Sequence, residues 1–254
     1  MPDKFVPTAA AAVRDIHDGA TVLISGFGLS GQPSELIEAL VEQGARELTV
    51  VCNNSGSHDH GLARLIRLGR VRRLLASFPR GAASYHFEEA YEAGAIAYEC
   101  VPQGTLAERL RAAGAGLGGF FTPTAYGTRL AEGKETRLID GRGHVFEEPL
   151  HGDFALVGAE CADRWGNLTY RKAGRNFGPL MCMAAATAIV QVDRAVELGG
   201  LDPERVVTPG IFVQRVVEIP RAAENEQPAA AEPREPHTGT AGTDRAGGTE
   251  EMTR

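Results

Sequence analysis

An open, mostly parallel α/β sheet flanked by helices, with a β-hairpin insertion, is the architecture that this sequence of 254 residues predicts. Three observations carry that prediction. Short apolar and β-branched runs alternate with amphipathic stretches of helical period, the pattern of strands joined in parallel by right-handed crossovers. Polar clusters (GFG, NNSG, FPRG, PQGT) follow those runs, and in open sheets ligands gather beyond the carboxyl ends of the strands. Residues 136–148, TRLIDGRGHVFEE, have strand-like flanks around Asp140-Gly141, a hairpin signal.

In chain order, residues 8–17 read as a short helix with Thr8 as its cap, ending before the turn dipeptide Asp18-Gly19. Residues 21–24 form a buried strand, followed by Gly26, Gly28 and Gly31; Pro33-Ser34-Glu35 then opens the amphipathic run LIEALVEQG. Glycines there permit positive φ and close approach of a ligand, and a helix N-terminus offers N–H groups that favour anions. Residues 48–52 are the second strand, ending in Asn53-Asn54-Ser55-Gly56, and residues 61–68 are helical. Residues 71–78 make the third strand and run into Pro79-Arg80; a helix at 87–93 and a strand at 95–101 lead to Pro102-Gln103-Gly104-Thr105 and the helical LAERLRAAG. Residues 114–123 read as a glycine- and aromatic-rich connection. Beyond the hairpin come a strand at 154–159, a turn and strand at 165–170, a buried helix at 179–187, a strand at 188–192 and a last strand at 211–217.

Residues 1–220 therefore read as the folded domain. From 221 to 254 the chain is rich in Ala, Pro, Gly, Glu and Thr, with Met252 its one large apolar residue, and is expected to be a disordered tail. A formal charge of -7 argues against a general nucleic-acid-binding surface. Neither a signal peptide nor a stretch of membrane-spanning length is visible, so a cytoplasmic protein is expected. The four cysteines, Cys52, Cys100, Cys161 and Cys182, are scattered and read as small buried hydrophobes.

Residues suited to chemistry are few. Gly26, Gly28 and Gly31 match G-x-G-x-x-G spacing, which keeps a dinucleotide-binding, non-catalytic protein open, although Asn53-Asn54 stand where a ribose-binding acid is expected. No G-K-[ST] follows to make a phosphate loop. His58 and His60 with Asp59 lack a clear third partner for a metal. Arg171, Lys172 and Arg175 form a basic cluster suited to a phosphate, a carboxylate or structural ion pairs. Asn53, Asn54 and Gln103 are neutral groups suited to holding a carbonyl or carboxylate, not to proton transfer. The residues describe a binding surface without a nucleophile and its base.

Residues 18–33, DGATVLISGFGLSGQP, resemble the signature of the family I coenzyme A transferases, D-G-x-x-(three apolar)-G-G-F-x-x-x-G-x-P, with Ser25 in place of the first glycine of the pair. Asn53-Asn54-Ser55-Gly56, PQGTLAER at 102–109, FFTPTAYGT at 120–128, DRWGNLTYRKAGRNFGP at 163–179 and VTPGIFVQRVV at 207–217 match in order across residues 5–220. Within the family the chain resembles the alpha subunits of two-subunit 3-oxoacid CoA-transferases. SFPRG at 77–81, KETRLIDGR at 134–142 and DRWGNLTYRKAGRNFGP at 163–179 lean towards 3-oxoadipate over acetoacetate as acceptor. The resemblance implies a CoA-transferase fold and transfer of CoA from succinyl-CoA to 3-oxoadipate. It also implies a CoA thioester as substrate with no permanently bound cofactor, and a catalytic glutamate supplied by a B subunit in a heterodimer or heterotetramer. It assigns the loop of Ser25, Gly26, Phe27, Gly28, Leu29, Ser30, Gly31 and Gln32 to the CoA and substrate boundary, and Asn53, Asn54 and Gln103 to the acyl group. Arg80 is expected to grip the second carboxylate of a dicarboxylic acid, because a guanidinium can do so bidentately.

Overall fold

The computed structural model describes residues 3–81 and 83–220; residues 221–254, expected from composition to be a tail, lie outside the described residues. The first half alternates helix and strand: α1 (Ala9–Val13), β1 (Thr21–Ile24), α2 (Ser34–Gln43), β2 (Leu48–Cys52), α3 (Leu62–Arg67), β3 (Val71–Ala76), α4 (Tyr85–Glu92), β4 (Ala97–Cys100) and α5 (Gln103–Gly114). A small antiparallel unit follows, made of β5 (Phe120–Thr122), β6 (Thr136–Ile139) and β7 (Arg142–Glu147). The chain then returns through β8 (Gly152–Asp163), β9 (Leu168–Thr169), α6 (Gly178–Ala184), β10 (Ala185–Val196) and β11 (Arg215–Glu218).

The main sheet has the order β11-β10-β8-β1-β2-β3-β4, with every neighbour in that path parallel and β9 hung antiparallel on the far end of β8. From β1 the chain winds outward to β4, then comes back to β8 on the opposite side of β1. That reversal makes the β1/β8 boundary a topological switch point, the place where sheets of this kind gather ligands. Strand alternation buries both faces. Val22, Ile24, Val50 and Leu74 pack under helices α1 to α4, through Leu36, Leu40, Leu65 and Phe87. Leu23, Val51, Leu75 and Val157 pack on the other face under α5 and α6, through Leu106, Leu110 and Met181.

The expected hairpin is present. β6 and β7 pair from Thr136–Val145 to Ile139–Arg142. Asp140 and Gly141 both take positive φ, 50° and 75°, as a twist-matched two-residue turn requires. Several readings need correction. Phe120 to Thr122 form a strand on β7, not a bare connection, because their backbone completes the small sheet. The polar PQGT cluster does not hang free: Pro102 is the N-cap and Gln103 is already the first residue of α5. Within 211–217 only the end is strand; Gly210–Phe212 form a 3-10 turn because Gly210 packs directly on the Trp165 carbonyl and donates its N–H to Asn167 Oδ1 at 2.8 Å. β8 and β10 outrun the strands read for them, since they continue to pair with each other beyond the end of β1. Cys52, Cys161 and Cys182 are buried as expected, but Cys100, at the end of edge strand β4, is exposed.

Candidate active site

The register of the central strands builds the floor of the candidate site. Continuing the pairs Leu23–Val51 and Cys52–Ala76 past the strand ends brings Ser25, Asn53 and Ser77 into one row, the first residues after β1, β2 and β3. Strand alternation directs all three to the face covered by α5. Asn53 is buried, and its Oδ1 accepts from Gln103 Nε2 at 2.7 Å, so the first residue of α5 reaches back over the end of β2. Oδ1 is engaged by Gln103, which leaves Nδ2 as the donor of the Asn53 amide. The Phe78 N–H donates to the Asn53 carbonyl at 2.9 Å and fixes the β3 loop beside it. Ser77, the first residue of the SFPRG match, is given no role of its own by the sequence, although it holds the position equivalent to Asn53 one strand over. Its buried Oγ has no hydrogen-bond partner among the described residues.

Ser25 does not face the candidate site as a free hydroxyl. It is 2% exposed, donates to the Gly31 carbonyl at 2.7 Å and accepts the Gly158 N–H at 3.0 Å, pinning the glycine loop to β8. Beyond it, Phe27 and Ser30 exchange backbone hydrogen bonds at 3.0 and 3.2 Å, with Gly28 and Leu29 at the tip. The tip carries apolar side chains outward: Phe27 is 53% and Leu29 77% exposed. Gly31 sits at φ +70° against the turn formed by Lys172–Arg175, where a Cβ would run into the Gly174 carbonyl and the Asn176 amide. Asn176 links the two segments. Its Oδ1 accepts from Gly26 N at 3.0 Å, and its Nδ2 donates to Ser30 O at 3.1 Å and Gly174 O at 2.8 Å. Asn176 lies in the matched stretch 163–179, but no local pattern discloses its contacts, because its partners on the loop lie about 150 positions away.

The expected anion cradle changes in kind here. The N–H groups opening α2 are not vacant: Glu35 N and Leu36 N donate to Gln191 Oε1 at 3.1 and 3.3 Å, Ser34 N to Gln32 O and Ile37 N to Pro33 O. The helix N-terminus is therefore capped from β10 and offers no anion cradle, which also removes the pyrophosphate seat that a dinucleotide reading requires. Gln32 itself lies against Gly61 rather than at the loop tip. Asn54 spends its side chain locally, accepting from Gly56 N at 3.3 Å. Arg80 is an exposed side chain on the β3 loop, and its nearest carboxylate, Glu88, is 3.8 Å away in a solvent-screened pair.

The thiol beside the floor is inert. Cys52 donates Sγ to the Asn54 carbonyl at 2.9 Å, and burial raises its pKa far above the usual thiol range. Burial also pushes the Cys182 thiol up to about 12. Both remain protonated at neutral pH and are poor nucleophiles. Asp59, between His58 and His60, is engaged by Arg67 at 2.6 Å, and that guanidinium lowers its pKa. Among the described residues no group of three or more His, Cys, Asp or Glu is placed to hold a metal ion, and no helix is long and apolar enough to cross a membrane. What these residues do offer is neutral hydrogen-bonding groups, Asn53, Gln103 and Ser77, beside a hydrogen-bonded glycine loop.

Comparison with known proteins agrees in kind. The coenzyme A transferase family profile matches residues 6–219. The alpha subunit of a 3-oxoadipate CoA-transferase from Pseudomonas putida is 60% identical over 223 residues, covering 88% of this chain and 96% of that one. The corresponding chain of a probable succinyl-CoA:3-ketoacid coenzyme A transferase from Bacillus subtilis is 45% identical over 214 residues, covering 84% and 89%. Among solved structures, glutaconate coenzyme A-transferase from Acidaminococcus fermentans has a TM-score of 0.75 at 20% identity, over 85% of this chain and 76% of that one. An acyl-CoA transferase from E. coli O157:H7, in a thioester complex with CoA, gives 0.77 at 23% identity, over 86% of this chain and 50% of that one. At such identities the two structures speak to the fold alone, and this chain spans half the length of the second.

Proposed function

The chain belongs to the coenzyme A transferase family, and on that premise we propose that it is the alpha subunit of a two-subunit enzyme that moves CoA from succinyl-CoA to 3-oxoadipate. The likeness to the Pseudomonas putida protein, along nearly the whole of both chains, carries this reading. The CoA thioester is substrate, no cofactor is held permanently, and the enzyme works in the cytoplasm. The missing nucleophile is a glutamate of the partner chain. That carboxylate attacks the succinyl thioester carbonyl and the CoA thiolate leaves. The thiolate then returns to the glutamyl carbonyl, releasing succinate and leaving a glutamyl-CoA thioester; the carboxylate of 3-oxoadipate reverses the sequence and takes the CoA.

Each carbonyl attack gathers negative charge on oxygen, which fixed donors stabilise best in a site closed to water. In this reading the Asn53 amide, held by Gln103 at 2.7 Å, is such a donor, and the Ser25 to Gln32 loop is the wall that meets the partner's glutamate and the thioester. Asn54 shapes the Asn53 turn through Gly56. Arg80, exposed on the neighbouring loop with only a screened carboxylate nearby, is free to take the distal carboxylate of the acceptor. The 45% identity to the Bacillus subtilis relative supports acetoacetate as the second acceptor to test.

Co-purified with its partner, the chain is expected to transfer CoA from succinyl-CoA to 3-oxoadipate faster than to acetoacetate, while the chain alone transfers none. Activity of the lone chain overturns the split site. Arg80→Ala is expected to remove most of the preference for 3-oxoadipate, and an unchanged preference removes that role from Arg80.

A further inference from the structure

We infer that Asn176 is a positioning residue, holding the glycine loop in its working shape through a four-point amide clamp without touching either substrate. The inference rests on the proposed placement of that loop at the site. The clamp uses the whole hydrogen-bonding capacity of one primary amide, two acceptor and two donor positions. Oδ1 accepts from Gly26 N at 3.0 Å and from Phe177 N at 2.6 Å; Nδ2 donates to Ser30 O at 3.1 Å and to Gly174 O at 2.8 Å. Gly26 and Ser30 flank the loop tip, so a single side chain grips the loop where it leaves the sheet and where it returns.

The backbone is shaped for this use. Asn176 stands at φ 24° and ψ −123°, outside the αL well and in a conformation that favours glycine, so the side-chain bonds hold a strained backbone. Gly31 and Gly174 meet so closely that a Cβ on Gly31 would strike both the Gly174 carbonyl and the clamp amide. Gly158 leaves similar room on the other side, where a Cβ would lie 2.8 Å from the Gly31 carbonyl. The side-chain requirement is narrow. Aspartate keeps the acceptor but sets a carboxylate oxygen against two carbonyls, and glycine relieves the backbone while removing every clamp bond.

Two variants of the full-length chain test this. In Asn176→Gly and Asn176→Asp, hydrogen exchange at residues 26–32 is expected to quicken about tenfold or more while the central strands keep their protection. Unchanged protection of the loop in both variants overturns the clamp. Each variant is then combined with the partner chain, and succinyl-CoA to 3-oxoadipate transfer is assayed. Displacing a reacting surface by about 1 Å is worth around 100-fold, so kcat/KM is expected to fall roughly 10- to 100-fold without loss of assembly.

The pH profile separates positioning from general damage. As pH falls, the carboxyl introduced by Asn176→Asp protonates and regains one O–H donor for the facing carbonyls. The Asn176→Asp deficit relative to the native chain is therefore expected to narrow, and the Asn176→Gly deficit to stay constant. Parallel profiles for the two variants overturn the donor role. A loop that loosens while transfer runs at the native rate overturns the claim that its shape serves the reaction. If the native pair transfers no CoA at all, the proposed function fails, and the exchange experiment still decides the clamp.

Discussion

Ser25 shows how one side chain converts a flexible glycine loop into a wall. Its hydroxyl satisfies the Gly158 N–H at 3.0 Å and the Gly31 carbonyl at 2.7 Å, and the residue itself is 2% exposed. The position departs from the glycine of the family signature, yet the hydroxyl provides what a bare glycine lacks, a bridge between β8 and the far side of the loop. Replacing it with alanine leaves a buried N–H and a part-buried carbonyl facing a methyl group. A buried polar group stripped of its partner costs about 1–3 kcal/mol. Ser25→Ala is accordingly expected to lower the unfolding free energy by about 2 kcal/mol in urea titration, and an unchanged midpoint would show that the two backbone groups find other partners.

Between elements, the antiparallel unit is fastened to the main sheet by charge. Arg109 on α5 donates Nε to the Glu148 carbonyl at 2.9 Å and Nη1 to Glu99 Oε1 at 3.2 Å, and it lies 3.9 Å from the buried Glu147 at the end of β7. Lys134 completes the Glu147 pairing at 2.6 Å. Arg109→Met removes one of two cations from a carboxylate that is 3% exposed. A wholly orphaned buried charge costs roughly 3–5 kcal/mol; with Lys134 retained, a loss of about 2 kcal/mol is expected, with faster hydrogen exchange through Arg142–Glu147. This network also marks the limit of what the sequence discloses. The β–α alternation, the Asp140-Gly141 turn and the Asn53-Asn54 end of β2 depend on neighbours in the chain, and all are legible there. Gln191 capping α2, Asn176 clamping the loop and Arg109 reaching the Glu148 carbonyl depend on partners 39 to 156 residues away, and no local pattern discloses those contacts. The start of α5 misleads for a related reason: Pro-Gln-Gly signals a loop locally, but Pro102 serves as N-cap and delivers Gln103 to Asn53.

At the scale of the whole domain, the two ends of the described chain close on each other. Val6 N donates to Val216 O at 2.8 Å and Val216 N to Lys4 O at 2.8 Å, so the N-terminal segment lines the outer edge of β11. Arg215 then reaches back to α1 and the residues after it, donating to Ala12 O at 2.7 Å and bidentately to Asp15 at 2.5 and 2.6 Å. The hydrogen bond from Arg215 is the largest influence on Asp15 and holds its carboxyl below the ordinary 3.8. A folded-state pKa depressed in this way contributes stability that is present above the unfolded value and lost as pH falls through the folded one. The Asp15 side chain is 48% exposed, so solvent screening keeps the contribution to about 1 kcal/mol or less. Asp15→Asn is therefore expected to be less stable than the native chain by up to about that amount at neutral pH. The two unfolding curves should converge as pH drops well below 3.8. A gap that persists in acid would assign the effect to the shape of the Arg215 contact rather than to its charge.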